Sequence, residues 1–125
     1  MGMIYFEIQA EQAARAARFY TDVFGWKFTK ADGTPVEYWR IDTGDGGRGG
    51  LLKRPAAPPP PYSGTNAYVC SFEVANYDLT AEAILKRGGT IALPKFAVPG
   101  VCWQGYFLVI EGNTFGIFQP DQSVG

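Results

Sequence analysis

Two glutamates, Glu7 and Glu73, stand in near-identical settings, "FEI" at 6–8 and "FEV" at 72–74, 66 residues apart. Carboxylates repeated in this way suit a cationic or hydroxylated ligand, or one of them suits general-base work. The plainer reading of each is a strand-end side chain, solvated or paired with Arg15 or Arg40. What is missing narrows the chemistry further. The 125-residue chain has no histidine, the commonest transition-metal ligand and acid-base group near neutral pH. Ser-His-Asp and Cys-His sites are therefore excluded, and zinc or iron chemistry is disfavoured. A carboxylate-only magnesium or calcium site stays open. Cys70 and Cys102 have apolar neighbours and read as buried free thiols in a reducing compartment.

Composition agrees with a single globular domain over 1–125: 46% hydrophobic and 18% charged residues place the chain among neither disordered nor membrane-spanning proteins. The opening "MGMIYFEI" lacks a basic region ahead of an apolar one, which predicts no signal peptide and a cytoplasmic location. Net charge is −1, which offers no electrostatic footprint for nucleic acid or an anionic membrane.

The elements that must position the glutamates follow from periodicity. Alternation predicts a strand over 3–8, and an apolar stripe near the 3.6 period predicts a helix over 10–24, stopped by Gly25. Strands are expected over 26–31 and 36–43. "GDGGRGG" (44–50) reads as a connection to a fourth strand beginning at Leu51. The Pro-rich stretch 55–65 reads as an extended linker. The pattern then recurs: strand 66–74, helix 76–87 ended by Gly88-Gly89, strand 90–94, loop "KFAVPG", strand 102–110 and a last strand over 114–119. Each half reads β-α-β-β-β, with module 1 over about 3–54 and module 2 over about 66–120. The 66-residue offset that matches "FEI" to "FEV" also lays Gly50 on Gly116. Such internal repetition is an architectural signal. "TGDGGRGG" is no phosphate loop, because it lacks the Lys-Ser/Thr end and a following helix. "PPPP" reads as linker rather than as a polyproline ligand.

Three ordered segments carry a resemblance: "FEIQAEQAARAARFYTDVFGWKF", "LKRGGTIALPKFAVPG" and "YFLVIEGNTFGIFQ". Together they resemble the vicinal oxygen chelate superfamily, the glyoxalase/bleomycin resistance/dioxygenase group. The resemblance implies an α+β fold of paired βαβββ modules in a curved, barrel-like mixed sheet around a shared cavity. The family's metal enzymes place one ligand on the first and one on the last strand of each module. Here those positions fall on Met3 or Tyr5, Gly50, Val69 or Ser71, and Gly116. None is a typical ligand for a hard divalent ion, so the resemblance implies no metal and no other cofactor, and metal-dependent glyoxalase or dioxygenase chemistry is put in doubt.

What survives is the cavity. Strand parity turns Tyr5, Glu7, Ser71 and Glu73 toward it, and Tyr38 and Arg40, with Gln104 and Tyr106, share faces of the third strands. Trp103 is placed to cap its mouth, and Thr114, Gly116 and Phe118 flank the space left by the missing ligand. The leading expectation is a metal-free protein that sequesters an aromatic or amphipathic small molecule between the modules, as a homodimer. The alternative is an isomerase or lyase with Glu7 or Glu73 as its base. A third reading is a structural module whose cavity is filled by its own side chains.

Overall fold

The computed structural model describes residues 4–58, 60 and 67–125. Met3, half of the "PPPP" run (59 and 61) and the end of the proline-rich linker lie outside the described residues. The chain divides into two compact units, Tyr5–Tyr68 and Val69–Gly125, with Ile4 grouped with the latter. No helix among the described residues is long and apolar enough to cross a membrane.

In the first unit, β1 (Ile4–Ala10) leads into α1 (Ala13–Phe24), followed by β2 (Lys27–Lys30), β3 (Tyr38–Asp42) and β4 (Arg48–Lys53). The strand order is β2-β3-β4-β1, with β4 parallel to β1 and the other neighbours antiparallel. Ala13 and Ala17, one turn apart, are the buried residues of α1. Their small side chains let the helix lie close on Ile8, Ile41 and Leu51, which complete this core. Gly25 closes the helix in a left-handed conformation (φ 74°), its N–H donating to the Thr21 carbonyl.

Two sequence expectations shift here. The helix starts at Ala13 rather than Ala10, because Ala10 is still in the sheet, paired with Lys53. Gly49 and Gly50 belong to β4 and not to the connection before it. Gly49 pairs with Phe6, and a Cβ there would press on the Phe6 ring at 2.8 Å.

The second unit repeats the plan. It contains β5 (Val69–Glu73), α2 (Tyr77–Lys86), β6 (Thr90–Val98), β7 (Cys102–Leu108) and β8 (Thr114–Pro120), in the order β5-β8-β7-β6. β5 and β8 are parallel, and the remaining pairs are antiparallel. Asn76 caps α2 by accepting from the Leu79 N–H at 3.0 Å. Tyr77, Phe107 and Ile117 form the core beneath this helix. The stretch expected as a loop from Lys95 is strand as far as Val98. It accommodates Pro94 by shifting register between Leu93 and Phe96, on a strand at the edge of this order, where a missing N–H is tolerated. Both units are therefore α+β, each a βαβββ module with a mixed sheet.

Candidate functional site

In both modules the side of the sheet away from the helix gathers the polar residues, and both arrangements are organised by a glycine. In module 1, Gly50 on β4 pairs with Glu7 on β1 and with Arg40 on β3. Tyr38, two residues before Arg40 and so on the same face, reaches across Gly50. Its hydroxyl donates to Glu7 Oε2 at 2.9 Å and lies 2.8 Å from the Tyr5 hydroxyl. A Cβ on residue 50 would collide with the Tyr38 hydroxyl. Glycine is required because the phenol occupies the space a side chain would need.

In module 2, Gly116 on β8 pairs with Ser71 on β5 and with Tyr106 on β7. Gln104, two residues before Tyr106, reaches over it. Its Nε2 donates to Ser71 Oγ at 3.2 Å and to the Gly105 carbonyl at 3.2 Å. A Cβ on residue 116 would collide with Ser71 Oγ and come within 2.7 Å of Gln104 Nε2. Ser71 (1% exposed) and Gln104 (9%) are buried polar groups, and this bond partners them where water does not reach.

The register revises one expectation about the repeat. Gly50 opposes Glu7, whereas Gly116 opposes Ser71, not Glu73. The sheet counterpart of Glu7 is thus Ser71, two residues before the position given by the "FEI"/"FEV" match. Glu73 pairs with Phe118 and keeps the same face. The counterpart of Tyr38 is Gln104, since each sits opposite the residue two after its glycine, Leu52 and Phe118.

The remaining candidates fall as follows. Tyr5, Glu7 and Tyr38 are half-buried and joined, while Arg40 is exposed on their face. Burial first, and then the Glu7 carboxylate and Tyr5, hold the Tyr38 phenol far above its ordinary value, so it stays a donor. In module 2, Ser71, Gln104, Tyr106 and Gly116 come together, with Phe118 paired to Gln104 and Thr114 to Leu108. Trp103 is placed elsewhere. It packs against the Tyr77 core on the helix side, with the Lys95 ammonium 4.7 Å above its ring. A one-residue step from Gln104 reverses the face. Sequence reasoning also missed Tyr77, whose hydroxyl covers Gly105 from the helix side. The only hint was an aromatic residue directly after the Asn76 cap.

The positions that the resemblance assigns to metal ligands can be tested by their donors. They offer the Tyr5 phenol, the Ser71 hydroxyl and two glycines, and the register that matches Ser71 to Glu7 adds a single carboxylate. The phenol and the carboxylate are both engaged with Tyr38, and the hydroxyl accepts an amide N–H, a donor turned to where a cation would need acceptors. These residues do not fit a divalent metal. Among the described residues, no cluster of three or more His, Cys, Asp or Glu is placed to hold one.

Comparison with known proteins gives consistent relatives. A sequence model of the Glyoxalase/Bleomycin resistance protein/Dioxygenase superfamily matches residues 2–114. A glyoxylase-like domain-containing protein of Didymella fabae is 35% identical over 118 residues, covering 89% of this chain and 88% of that protein. The structure of a glyoxalase/bleomycin resistance protein/dioxygenase superfamily member from Vibrio splendidus 12B01 superposes with a TM-score of 0.67 at 14% identity, covering 94% of this chain and 97% of that one. Methylmalonyl-CoA epimerase from Mycobacterium tuberculosis superposes with a TM-score of 0.68 at 10% identity, covering 94% of this chain and 86% of that one. At these identities the structural likeness speaks to the fold.

Proposed function

The chain belongs to the Glyoxalase/Bleomycin resistance protein/Dioxygenase superfamily, and from that premise we propose that it binds a small aromatic or amphipathic molecule without a transition metal. The observation that carries this reading is the pair of glycines at the last-strand positions. Each is covered by a hydrogen-bonded side chain from the neighbouring strand, Tyr38 or Gln104, where a metal enzyme of the family needs a ligand. The polar face of module 1 then offers phenol edges and a carboxylate, groups that orient a ligand rather than ligate an ion. Arg40, on the same face of module 1, is the further contact assigned to the ligand. The reading includes a homodimer in the cytoplasm, supported by large apolar side chains left exposed, such as Phe24, Leu79 and Ile110. Sedimentation of the purified chain checks the dimer.

Metal analysis of purified protein, together with calorimetry against glycopeptide antibiotics and aromatic metabolites, tests the proposal. The expected result is no stoichiometric metal and a ligand whose affinity falls in Tyr38→Phe and Glu7→Gln. One tightly bound transition metal per chain would overturn it.

A second reading is favoured by one observation. Glu7 accepts the Tyr38 hydrogen bond at 2.9 Å, so its carboxylate is held in place for proton abstraction from a bound substrate. The methylmalonyl-CoA epimerase likeness makes carbon acids a sensible substrate class for that assay. Isotope exchange from a carbon acid, lost in Glu7→Gln but kept in Glu73→Gln, would favour the enzyme over the binding protein.

A further inference from the structure

A different concavity lies on the helix side of module 1. Its volume is about 520 Å3, and its lining includes Glu11, Gln12, Arg15, Phe19, Tyr20 and Arg54. Ala10, also in the lining, has the parity of Ile8, so this is the face opposite Glu7.

The charges here are unbalanced. Arg15 is exposed and Arg54 half-buried. Among the described residues neither guanidinium is in an ion pair; the ion pair formed is Lys95–Asp78, in the other module. Arg54 donates one terminal N–H to the Gln9 carbonyl at 3.2 Å, and its enclosed Nε has no acceptor among the described residues. A half-buried guanidinium without a counter-charge is an unfavourable arrangement that a nearby anion relieves. Lys53 stands close by, its Nζ 2.8 Å from the Glu11 carbonyl. The first turn of α1 adds to the field, since it contains no acid and Gln12 makes no side-chain cap. The opposing charge in the lining is the Glu11 carboxylate.

The walls are aromatic. Phe19 is 58% exposed. Tyr20 is fixed from behind, stacked on Trp26 at 5.3 Å with its hydroxyl 2.6 Å from that of Tyr68. Aromatic walls beside two arginines suit a flat body carrying an oxyanion, because the guanidinium fork matches carboxylate or phosphate oxygens.

We propose that this concavity binds a small aromatic oxyanion, an aryl carboxylate or aryl phosphate, held by Arg15 and Arg54 against Phe19 and Tyr20. The site is separate from the Glu7 face and does not rest on the function proposed above.

Calorimetric titration with phenyl phosphate and benzoate, with benzyl alcohol and inorganic phosphate as controls, tests it. Both aryl anions are expected to bind and benzyl alcohol not to. Arg15→Gln, an exposed change that leaves the core alone, should weaken phenyl phosphate about tenfold, the scale of one charge-assisted hydrogen bond. Glu11→Gln should tighten it by roughly two- to fivefold, the range of a solvent-exposed charge. Glu7→Gln should leave it unchanged, which separates failure here from failure of the other reading. Three results would each overturn the proposal: no binding of either aryl anion, binding indifferent to Arg15→Gln, or inorganic phosphate binding as tightly as phenyl phosphate.

Discussion

Modules 1 and 2 solve one structural problem with opposite chemistry. In each, a polar side chain from the third strand passes over a glycine of the fourth to reach the first. In module 1 the span is a phenol to a carboxylate, half-buried and bearing charge. In module 2 it is an amide to a hydroxyl, neutral and buried. The backbone plan, the register of third and fourth strands and the glycine are held in common. The difference is that module 2 has closed its polar face into a satisfied, water-excluded pair, whereas module 1 leaves a carboxylate and two phenols within reach of solvent. Shared architecture thus does not make two equivalent sites; burial sorts one toward stability and the other toward ligand chemistry.

The strongest way to break this comparison is to fill the glycines. Gly116→Ala puts a methyl group against Ser71 and Gln104, neither of which has room to retreat. Overpacking plus a lost buried hydrogen bond should cost about 3 kcal/mol. Gly50→Ala meets the hydroxyl end of the half-buried Tyr38, which can swing outward at the loss of its bonds to Glu7 and Tyr5, and should cost only about 1–2 kcal/mol. Urea unfolding of the two variants reads the difference directly. Equal losses would mean that module 1 is as closed as module 2.

This asymmetry also marks what the sequence could and could not disclose. The βαβββ plan was legible because Ala13 and Ala17, Gly25 and the alternation of β1 and β5 are local signals. So was the importance of Gly50 and Gly116, through the internal repeat. Their role was not. They read as absent ligands that leave space, and the structure shows that space taken by Tyr38, Ser71 and Gln104. Cross-strand reach depends on register, and the repeat carried Glu7 onto Glu73, two residues past the true counterpart, Ser71. Trp103 misled for the opposite reason. The strand was expected from Cys102 and begins there, but Trp103 was set at the cavity mouth because it follows a loop, whereas alternation turns it away from the face of Gln104.

Removing the phenol oxygen sharpens the comparison at smaller scale. Tyr38→Phe should cost about 1.5 kcal/mol near neutral pH, as expected for a hydrogen bond to a charged acceptor. The effect depends on pH with a defined sign. Burial and the Glu7 charge raise the folded-state pKa of Tyr38 above its ordinary 10.0. Its stabilising contribution is therefore fully present below about pH 10 and declines as pH rises further, because the unfolded chain loses the proton first. The advantage of the native chain over Tyr38→Phe should shrink above that pH by up to about 1.4 kcal/mol per unit. Gln104→Leu, which alters the neutral span, should show no such slope over the same range. Urea unfolding near neutrality and near pH 11 separates the two.

The smallest expected effect concerns the helix starts, where the modules differ again. Asn76 caps α2 by accepting from Leu79, and Asp78 follows in the first turn. Gln12 begins α1 without a side-chain cap or a following acid. Asn76→Ala should cost about 1 kcal/mol and Gln12→Ala close to nothing. The informative variant is Gln12→Asp, which caps the open N–H groups and adds a negative charge at a positive helix end. It should raise stability by up to about 1 kcal/mol and at the same time weaken phenyl phosphate binding, because the new carboxylate occupies the field that draws the anion. A gain in thermal stability with undiminished anion binding would mean that the α1 terminus contributes nothing to that field. Opposed changes in the two measurements would show that module 1 leaves this helix uncapped at the cost of stability, in favour of its ligand.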